Sequence, residues 1–288
     1  MLHKIRVLKA LKGNAIRQTR IRLGIKPRPK APILSRNVQE ILGFHSLICR
    51  RLVELWPAGL RLEGESVCEI GPGDCLAAAA FMVGKGARHV DLVEHQPPVA
   101  NEKQFQVLSE LKKMGFPLAL DLITKEGDGS YSLNSRYLSY CKVLMENYQV
   151  ENQHGFMFSH NVMEHVEDLE TCFKSAYRSL RPGGQMLHVV DLGGHGEFED
   201  PLPPLDFQTY PDWLFEAMYP VNERCTRRFL CDYRQAVTAA GFQQVEIRPL
   251  RSVDKAYLDA IHGQMRPAAR QQPREDLAVI EFVLTAVK

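Results

Sequence analysis

After residue 37, short apolar runs alternate with segments in which apolar residues recur every three or four positions. The runs predict buried strands at Val67–Ile70, His89–Val93, Tyr137–Met145, Gly155–Ser159, Gln185–Val190, Val245–Leu250 and Ala278–Val287. The helical spacing predicts helices at Val38–Leu55, Cys75–Val83, 99–114, Leu169–Leu180 and Asp232–Ala240. Strands that alternate with helices in this way favour an α/β fold built on a doubly wound, mostly parallel sheet.

Two regions depart from this alternation. Residues 1–25 carry apolar residues among many bases and predict a basic amphipathic helix, or an arm that packs on a neighbouring part of the chain. A proline-rich linker follows at 27–32. Residues 195–226 have no regular period and are too long for a simple connection. We therefore divide the chain into an arm and linker at 1–34 and a domain at 35–288, with a lid insertion at 195–230 after the fifth strand.

The most informative motif is the sequence from Glu69 to Gly73, where a strand ends in an acid and a Gly-Pro-Gly turn follows. Such glycines let the backbone approach a ligand closely. Leu76 occupies the position where a dinucleotide site needs a small residue, and no Lys-Ser or Lys-Thr pair follows as in a phosphate-binding loop. A carboxylate there would repel a pyrophosphate but attract an amino group. The motif therefore favours S-adenosylmethionine (SAM), which carries an amino group and no phosphate.

A second acid supports this interpretation. Glu94 ends the next predicted strand, about 20 residues after the glycine turn, where a carboxylate can bridge the two hydroxyls of a ribose. A solvated acid at a strand end is the alternative.

Composition places the chain among globular proteins, since 45% of residues are hydrophobic and 24% charged. Seven cysteines without a C-x-x-C pair favour reduced thiols over disulfides or a zinc site. No apolar run has the length of a membrane span, and bases interrupt the N-terminus where a signal peptide would be apolar. These features predict a cytoplasmic protein.

The net charge of +2 is unevenly distributed, because the chain is rich in bases from Lys4 to Lys30 and its first acid is Glu40. Residues 1–30 could contact an anionic membrane, which would place the protein at the inner membrane surface. Nucleic acid is an unfavoured partner, since the remainder of the chain is nearly neutral.

Residues 38–287 resemble the class I SAM-dependent methyltransferases. The resemblance is carried by Glu69–Gly73, Glu94, the sequence from Phe158 to Val166 and the sequence from Leu180 to Gly184. It implies a seven-stranded sheet with a reversed final strand, and SAM, converted to S-adenosylhomocysteine, at the carboxyl ends of the first strands. The insertion is similar to that of bacterial members found in sugar, glycan or natural-product pathways.

The resemblance also implies roles for individual residues. Glu69 would hold the methionine amino group, Gly71 and Gly73 would pass beneath the cofactor, and Glu94 would bind the ribose. The tip of the fourth strand, formed by Ser159, His160 and Asn161, would lie near the methionyl part and the methyl group.

Methyl transfer to a hydroxyl needs a base, and general-base catalysis contributes about 10²–10⁴-fold. We predict this base among His165, His188 and His195. Asp191 could orient an imidazole. Related enzymes hold a metal with Glu-x-x-Glu-His, but Asn161 replaces the first acid of that motif here, so we predict no metal site.

The insertion is rich in aromatic residues and arginines. Tyr210 and Trp213 could pack on a sugar ring or a flat acceptor, and Arg224 and Arg227 could bind phosphate or carboxylate. A packed lid whose arginines form ion pairs would carry the same residues. A helix from Pro211 would place Trp213 and Phe215 on different sides, so at least one should face the core.

The sequence thus predicts a SAM-dependent methyltransferase that O-methylates a small or carrier-linked acceptor. The acceptor oxygen would attack the methyl group in line with the departing sulfur. Two alternatives stay open: an NAD-type oxidoreductase of the same fold, and a binding module that uses the basic arm on an anionic surface.

Overall fold

The computed structural model describes residues 2–23, 33–57, 59–96, 100–194, 203–218 and 225–288. The helices are α1 (Leu2–Arg22), α2 (Val38–Glu54), α3 (Ala77–Gly84), α4 (Glu102–Lys113), α5 (Leu169–Ser179), α6 (Asp212–Met218), α7 (Leu230–Ala239), α8 (Lys255–His262), α9 (Pro267–Arg270) and α10 (Arg274–Ala278). The strands are β1 (Ser66–Ile70), β2 (His89–Val93), β3 (Ile123–Lys125), β4 (Tyr131–Leu133), β5 (Leu138–Cys141), β6 (His154–His160), β7 (Leu180–Asp191), β8 (Gln243–Ser252) and β9 (Val279–Val287).

The central sheet has seven strands in the order β5-β2-β1-β6-β7-β9-β8. In this order, each strand from β5 to β7 pairs in parallel with the next one. Strand β9 pairs antiparallel with both β7 and β8. This confirms the predicted doubly wound sheet and its reversed last strand. Because β1 lies between β2 and β6, the carboxyl ends of these three strands meet at one edge of the sheet, where α/β folds bind their ligands.

Helices cover both faces of the sheet. One face of β1, β2 and β6 packs with α2, α3 and α4 in a core that includes Val67, Leu92 and Phe158. The other face packs with α5 and α7 in a core that includes Met157 and Phe173. The central strands are buried throughout, as strands covered on both faces must be, which explains their continuous apolar sequence.

A third cluster joins the N-terminal helix to the insertion. Ala10 of α1 is buried against a group from the insertion and the C-terminal helices that includes Phe207, Phe215, Leu258 and Met265. The insertion forms a short helix, α6, with Phe215 6% exposed and Trp213 70% exposed. These two aromatic residues therefore face in different directions, as their spacing predicts.

Several elements differ from the sequence prediction. The third strand of the sheet, β5, is shorter than the predicted Tyr137–Met145, because Met145–Asn147 forms a 3-10 turn. The hairpin of β3 and β4 has three-residue strands, which are too short to show a period in the sequence. Helix α5 ends at Ser179, so the sequence Arg181–Gly184 lies inside β7 and not in a helix-ending turn.

Candidate functional site

The glycine turn after β1 forms the floor of the site. The Gly71 N–H donates to the Val93 carbonyl at 2.9 Å, which ties the turn to the end of β2. Gly71 and Gly73 have φ of +67° and +66°, a left-handed conformation that favours glycine. A Cβ on Gly71 would lie 2.6 Å from Cγ2 of Val162, so the backbone there passes directly under the loop that follows β6.

Glu69 lies one residue before the end of β1 and is 6% exposed. Its Oε2 atom is buried and has no hydrogen-bond partner in the described part of the chain. Burial raises the pKa of the carboxyl to about 8, because a buried carboxylate lacks solvation. A cation placed beside Oε2 would stabilise the ionised form.

Glu94 follows β2 and lines a cleft of about 450 Å³ at the carboxyl edge of the sheet. Its side chain is 10% exposed, and Oε1 accepts a hydrogen bond from the Gln96 N–H at 3.1 Å and lies 2.8 Å from Nδ1 of His95. The cleft is also lined by residues of the glycine turn, of the segment 143–146 and of the loop after β6. Its volume falls in the range of small-ligand sites.

The loop after β6 closes this cleft on the side opposite Glu94. Asn161 has φ of +56°, and its N–H donates to the Val189 carbonyl at 2.9 Å, so β7 holds the loop in a left-handed turn. Its Oδ1 atom is buried and unsatisfied in the described structure, although the residue lines the cleft. Asn161 therefore presents a polar atom that a ligand could satisfy.

Ser159 and His160 have different environments from Asn161. Ser159 is fully buried and its hydroxyl lies 2.8 Å from Nδ1 of His188, inside the sheet. His160 is partly buried, and burial together with the Arg51 charge lowers its pKa. Of the three predicted residues at this strand tip, the cleft includes Asn161.

His165 is the histidine of the predicted catalytic group that lines the cleft. It ends a 3-10 turn after β6, and its side chain is 33% exposed. Its Nε2 lies 4.0 Å from Oε1 of Glu164, whose side chain is fully buried. Burial raises the pKa of Glu164 well above its usual range. This acid can orient the imidazole from beneath while the ring faces the cleft.

Two other predicted catalytic residues, His188 and Asp191, do not join His165. His188 is fully buried within β7, where burial lowers its pKa to about 3 and Phe173 packs edge-on against its ring. Asp191 accepts a hydrogen bond from the Gly193 N–H at 2.8 Å and forms an ion pair with Arg251 at 3.3 Å. His195 lies outside the described residues. Successive strand positions face opposite sides of a sheet, so His188 and Asp191 diverge.

The described residues of the insertion that were predicted to contact substrate lie away from this cleft. Tyr210 is 3% exposed within the third cluster. The Arg227 side chain is 6% exposed, stacks 4.7 Å from the Phe215 ring centre and pairs with Asp212 at 3.0 Å. Burial lowers the pKa of Arg227 to about 10. Trp213 faces solvent, and Arg224 lies outside the described residues. Tyr210 and Arg227 are therefore packed within the protein, which is the alternative that the sequence left open.

The structure adds polar residues that the sequence analysis did not single out. His45 of α2 is 7% exposed, and neither of its ring nitrogens has a hydrogen-bond partner among the residues with described positions. Burial and the nearby His160 lower its pKa to about 4. Arg51, on the same helix, forms two hydrogen bonds with Glu281 of β9. The sequence did not distinguish them, because α2 is an amphipathic helix that also carries Gln39, Glu40, Arg50 and Glu54.

In the described ranges, no group of three His, Cys, Asp or Glu side chains is placed to hold a metal ion. No helix in those ranges is long and apolar enough to cross a bilayer.

Known proteins are similar to this chain in part. Residues 128–188 match the family model described as "Methyltransferase domain". Phosphoethanolamine N-methyltransferase 2 of Caenorhabditis elegans is 28% identical over 143 residues, which cover 48% of this chain and 28% of that protein. The chain thus matches under a third of the length of this curated relative.

Some solved structures are similar to this chain at low identity. Phosphoethanolamine N-methyltransferase 2 of Haemonchus contortus, in complex with SAM, is 16% identical, with a TM-score of 0.48 over 84% of this chain and 52% of that one. A SAM-dependent methyltransferase of Mesorhizobium loti is 12% identical, with a TM-score of 0.47 over 88% of this chain and 100% of that one.

The residues present fit SAM. Glu69 is not among the residues that line the cleft, but it carries a buried carboxylate oxygen without a described partner that could bind an ammonium group. Glu94 supplies a carboxylate at the cleft for hydroxyl groups, and Asn161, which lines the same cleft, carries a further unsatisfied oxygen. Among the described residues that line the cleft, His95 and His165 are the basic side chains, so these residues form no basic cradle for phosphates.

Proposed function

We propose that this chain is a SAM-dependent methyltransferase that transfers the methyl group of SAM to the hydroxyl of a small or carrier-linked acceptor. The observation that carries the proposal is that one cleft brings together Glu94, the left-handed Asn161 and His165. The bound cofactor supplies an electrophilic methyl group on a sulfonium centre. The residues around the cleft bind it, exclude water and manage the proton of the acceptor.

Binding is assigned to the β1 and β2 ends. The Glu69 carboxyl would hold the ammonium group, because its buried Oε2 lacks any other described partner. Glu94 would accept hydrogen bonds from the ribose, since its carboxylate lines the cleft. Gly71 and Gly73 leave room in the turn because glycine has no side chain.

Proton transfer is assigned to His165. Its ring lines the cleft and is partly exposed, so an acceptor hydroxyl could donate its proton to Nε2 or Nδ1. Glu164, whose carboxyl lies 4.0 Å from Nε2, would keep the imidazole oriented. His188 has no such access, because it is enclosed in the sheet.

A second candidate function is methyl transfer to the nitrogen of a small amine. It is favoured by the relative named phosphoethanolamine N-methyltransferase 2 and by the acids Glu146 and Glu167, which line the cleft. Carboxyl groups there would attract a cationic acceptor. His165 would then take a proton from the ammonium group before transfer.

Two measurements test the proposal. Isothermal titration with SAM and S-adenosylhomocysteine should show binding by the wild type and about 10–100-fold weaker binding by Glu94→Ala, because hydrogen bonds to a charged group contribute about 1.5–3 kcal/mol. Glu110→Ala removes an exposed acid of α4 and should bind SAM as the wild type does. Absence of SAM binding by the wild type, with NADH bound instead, would replace the proposal with the oxidoreductase alternative.

The acceptor class requires a screen with methyl-labelled SAM. Hydroxyl acceptors should include nucleotide sugars and simple phenols, and phosphoethanolamine should represent the amines. Label transferred to oxygen supports the first candidate, and label transferred to nitrogen supports the second.

A further inference from the structure

Helix α1 has apolar residues on two nearly opposite faces. On one face, Ala10 is 1% exposed and packs, with Val7 and Leu11, in the cluster formed with the insertion. On the same side, Asn14 donates a hydrogen bond to the Ala217 carbonyl of α6 at 2.8 Å. This internal face explains why part of the helix is apolar.

The opposite face also carries apolar residues, but their side chains are exposed. Leu8 is 66% exposed, Ile16 47% and Leu23 70%. Leu23 continues the last helical turn, because its N–H donates to the Thr19 carbonyl at 3.1 Å. With about 100° of rotation per residue, these three side chains fall within about 80° of one another. They form a stripe along the solvent side of α1.

Bases flank this stripe. Lys12 lies within it, Lys9 and Arg20 lie along one edge, and Arg22 lies along the other, and all four are exposed. The first acid of the chain is Glu40, so no carboxylate of α1 offsets their charge. An exposed apolar stripe bordered by bases is the pattern of helices that lie in the interface of an anionic bilayer.

An exposed tryptophan lies on the helix that holds α1. Trp213 of α6 is 70% exposed and precedes Ala217, the residue bonded to Asn14, by one helical turn. Tryptophan is enriched at membrane interfaces because its ring is amphipathic. Because α6 contacts the internal face of α1, Trp213 is exposed on a neighbouring helix and is not part of the stripe.

We propose that the solvent face of α1 forms a docking surface for an anionic phospholipid bilayer. The apolar stripe enters the headgroup region while the bases contact the lipid phosphates and carboxylates. Nucleic acid fits this surface less well. Its phosphates would bind the Lys and Arg side chains, but Leu8, Ile16 and Leu23 would gain no apolar contact. Since α1 packs on the insertion, docking would bring the methyltransferase domain to the membrane surface.

The test is co-sedimentation of the full chain with vesicles of phosphatidylcholine, alone or mixed with phosphatidylserine. The wild type should sediment with the mixed vesicles, should stay in solution with neutral ones, and should be released by salt. Leu8→Ser with Leu23→Ser, and separately Lys9→Glu with Lys12→Glu, should each reduce the bound fraction. The charge reversals should weaken binding by at least about tenfold, since each base near the surface contributes about fivefold.

Matched controls keep the test specific. Met114→Ser removes a 55% exposed apolar residue elsewhere, and Lys112→Glu with Lys113→Glu reverses two exposed bases of α4. Both should sediment as the wild type does, and all variants should keep the wild-type Tm and SAM affinity. Sedimentation that the α1 variants do not change overturns the proposal. Retention on duplex DNA or RNA without vesicle binding also overturns it.

Discussion

Gly71 and Val162 are in contact although they lie on different loops: a Cβ added to Gly71 would stand 2.6 Å from Cγ2 and 2.7 Å from Cγ1 of Val162. The glycine turn after β1 and the loop after β6 therefore close against each other, and the cleft forms beside this contact. Gly73 has nearly the same φ but no atom within 4 Å of its hypothetical Cβ.

This contrast gives the first prediction. Gly71→Ala and Gly73→Ala should both lose about 1–2 kcal/mol of unfolding free energy through left-handed strain. Gly71→Ala should lose a further ~1–3 kcal/mol by overpacking against Val162. Urea denaturation of the cofactor-free protein measures both. Val162→Ala should recover most of the difference in the Gly71→Ala background, and equal losses for the two glycines would contradict the clash.

The second prediction concerns Glu69. Burial raises its pKa to about 8 in the free protein, so the carboxyl is mostly protonated at pH 7. If it pairs with the ammonium group of SAM, binding lowers this pKa and releases a proton. SAM affinity should then rise as pH increases from 6 to about 8. Titrations in buffers of different ionisation enthalpy would detect the released proton.

Glu69→Gln tests the same interaction by replacing the ionisable carboxyl with an amide. The amide cannot ionise, so SAM affinity should fall about 10–100-fold and should lose its rise with pH. The cofactor-free variant should gain stability relative to the wild type as pH rises from 4.5 to 8. A folded-state pKa above the unfolded value makes the wild type less stable with rising pH in this window. A variant with wild-type affinity would remove Glu69 from the cofactor site.

The third prediction concerns His165 as the base. With an acceptor found in the screen, His165→Gln should lower kcat by about 10²–10⁴-fold and leave SAM affinity unchanged. The pH profile of kcat should lose its acidic limb. His262→Gln, on the distant α8, is the control and should behave as the wild type. Unchanged kcat in His165→Gln would assign proton transfer elsewhere.

The fourth prediction concerns the link between α2 and the sheet. Arg51 donates two hydrogen bonds, at 2.7 and 2.6 Å, to Glu281, whose side chain is 7% exposed. Arg51→Met should cost about 1–3 kcal/mol, less than a fully buried pair, because the Arg51 side chain is 32% exposed. Denaturant unfolding measures the loss. Arg50→Met, an exposed neighbour on the same helix, should cost less than about 0.5 kcal/mol.

Much of the fold was predictable because its signals are local. A buried parallel strand reads as a continuous apolar run, and β1, β2, β6 and β7 each lie within or around such a run. The hairpin of β3 and β4 was missed, since strands of three residues show no period. The helices between β8 and β9 were missed as well, because they are short and interrupted by prolines and glycine.

The candidate site also has a part that was predictable from the sequence and a part that was not. The positions of Glu69, Gly71 and Glu94 follow from where strands end, and strand ends are visible in sequence. The state of a histidine depends on what covers it, which sequence spacing does not record. By sequence, His165 follows the fourth predicted strand and His188 lies near the end of the fifth. In the structure, His165 lines the cleft, whereas His188 is enclosed between Ser159 and Phe173.

The sequence by itself determined the α/β alternation, the glycine turn and the two acids at the carboxyl edge of the sheet, because each depends on the order of neighbouring residues. Only the tertiary structure decided that His188, Tyr210 and Arg227 are packed away, that Arg51 meets Glu281 across 230 positions, and that α1 keeps one apolar face for the insertion and one for solvent. Burial and charge pairing arise from contacts between distant segments, so no local pattern carries them.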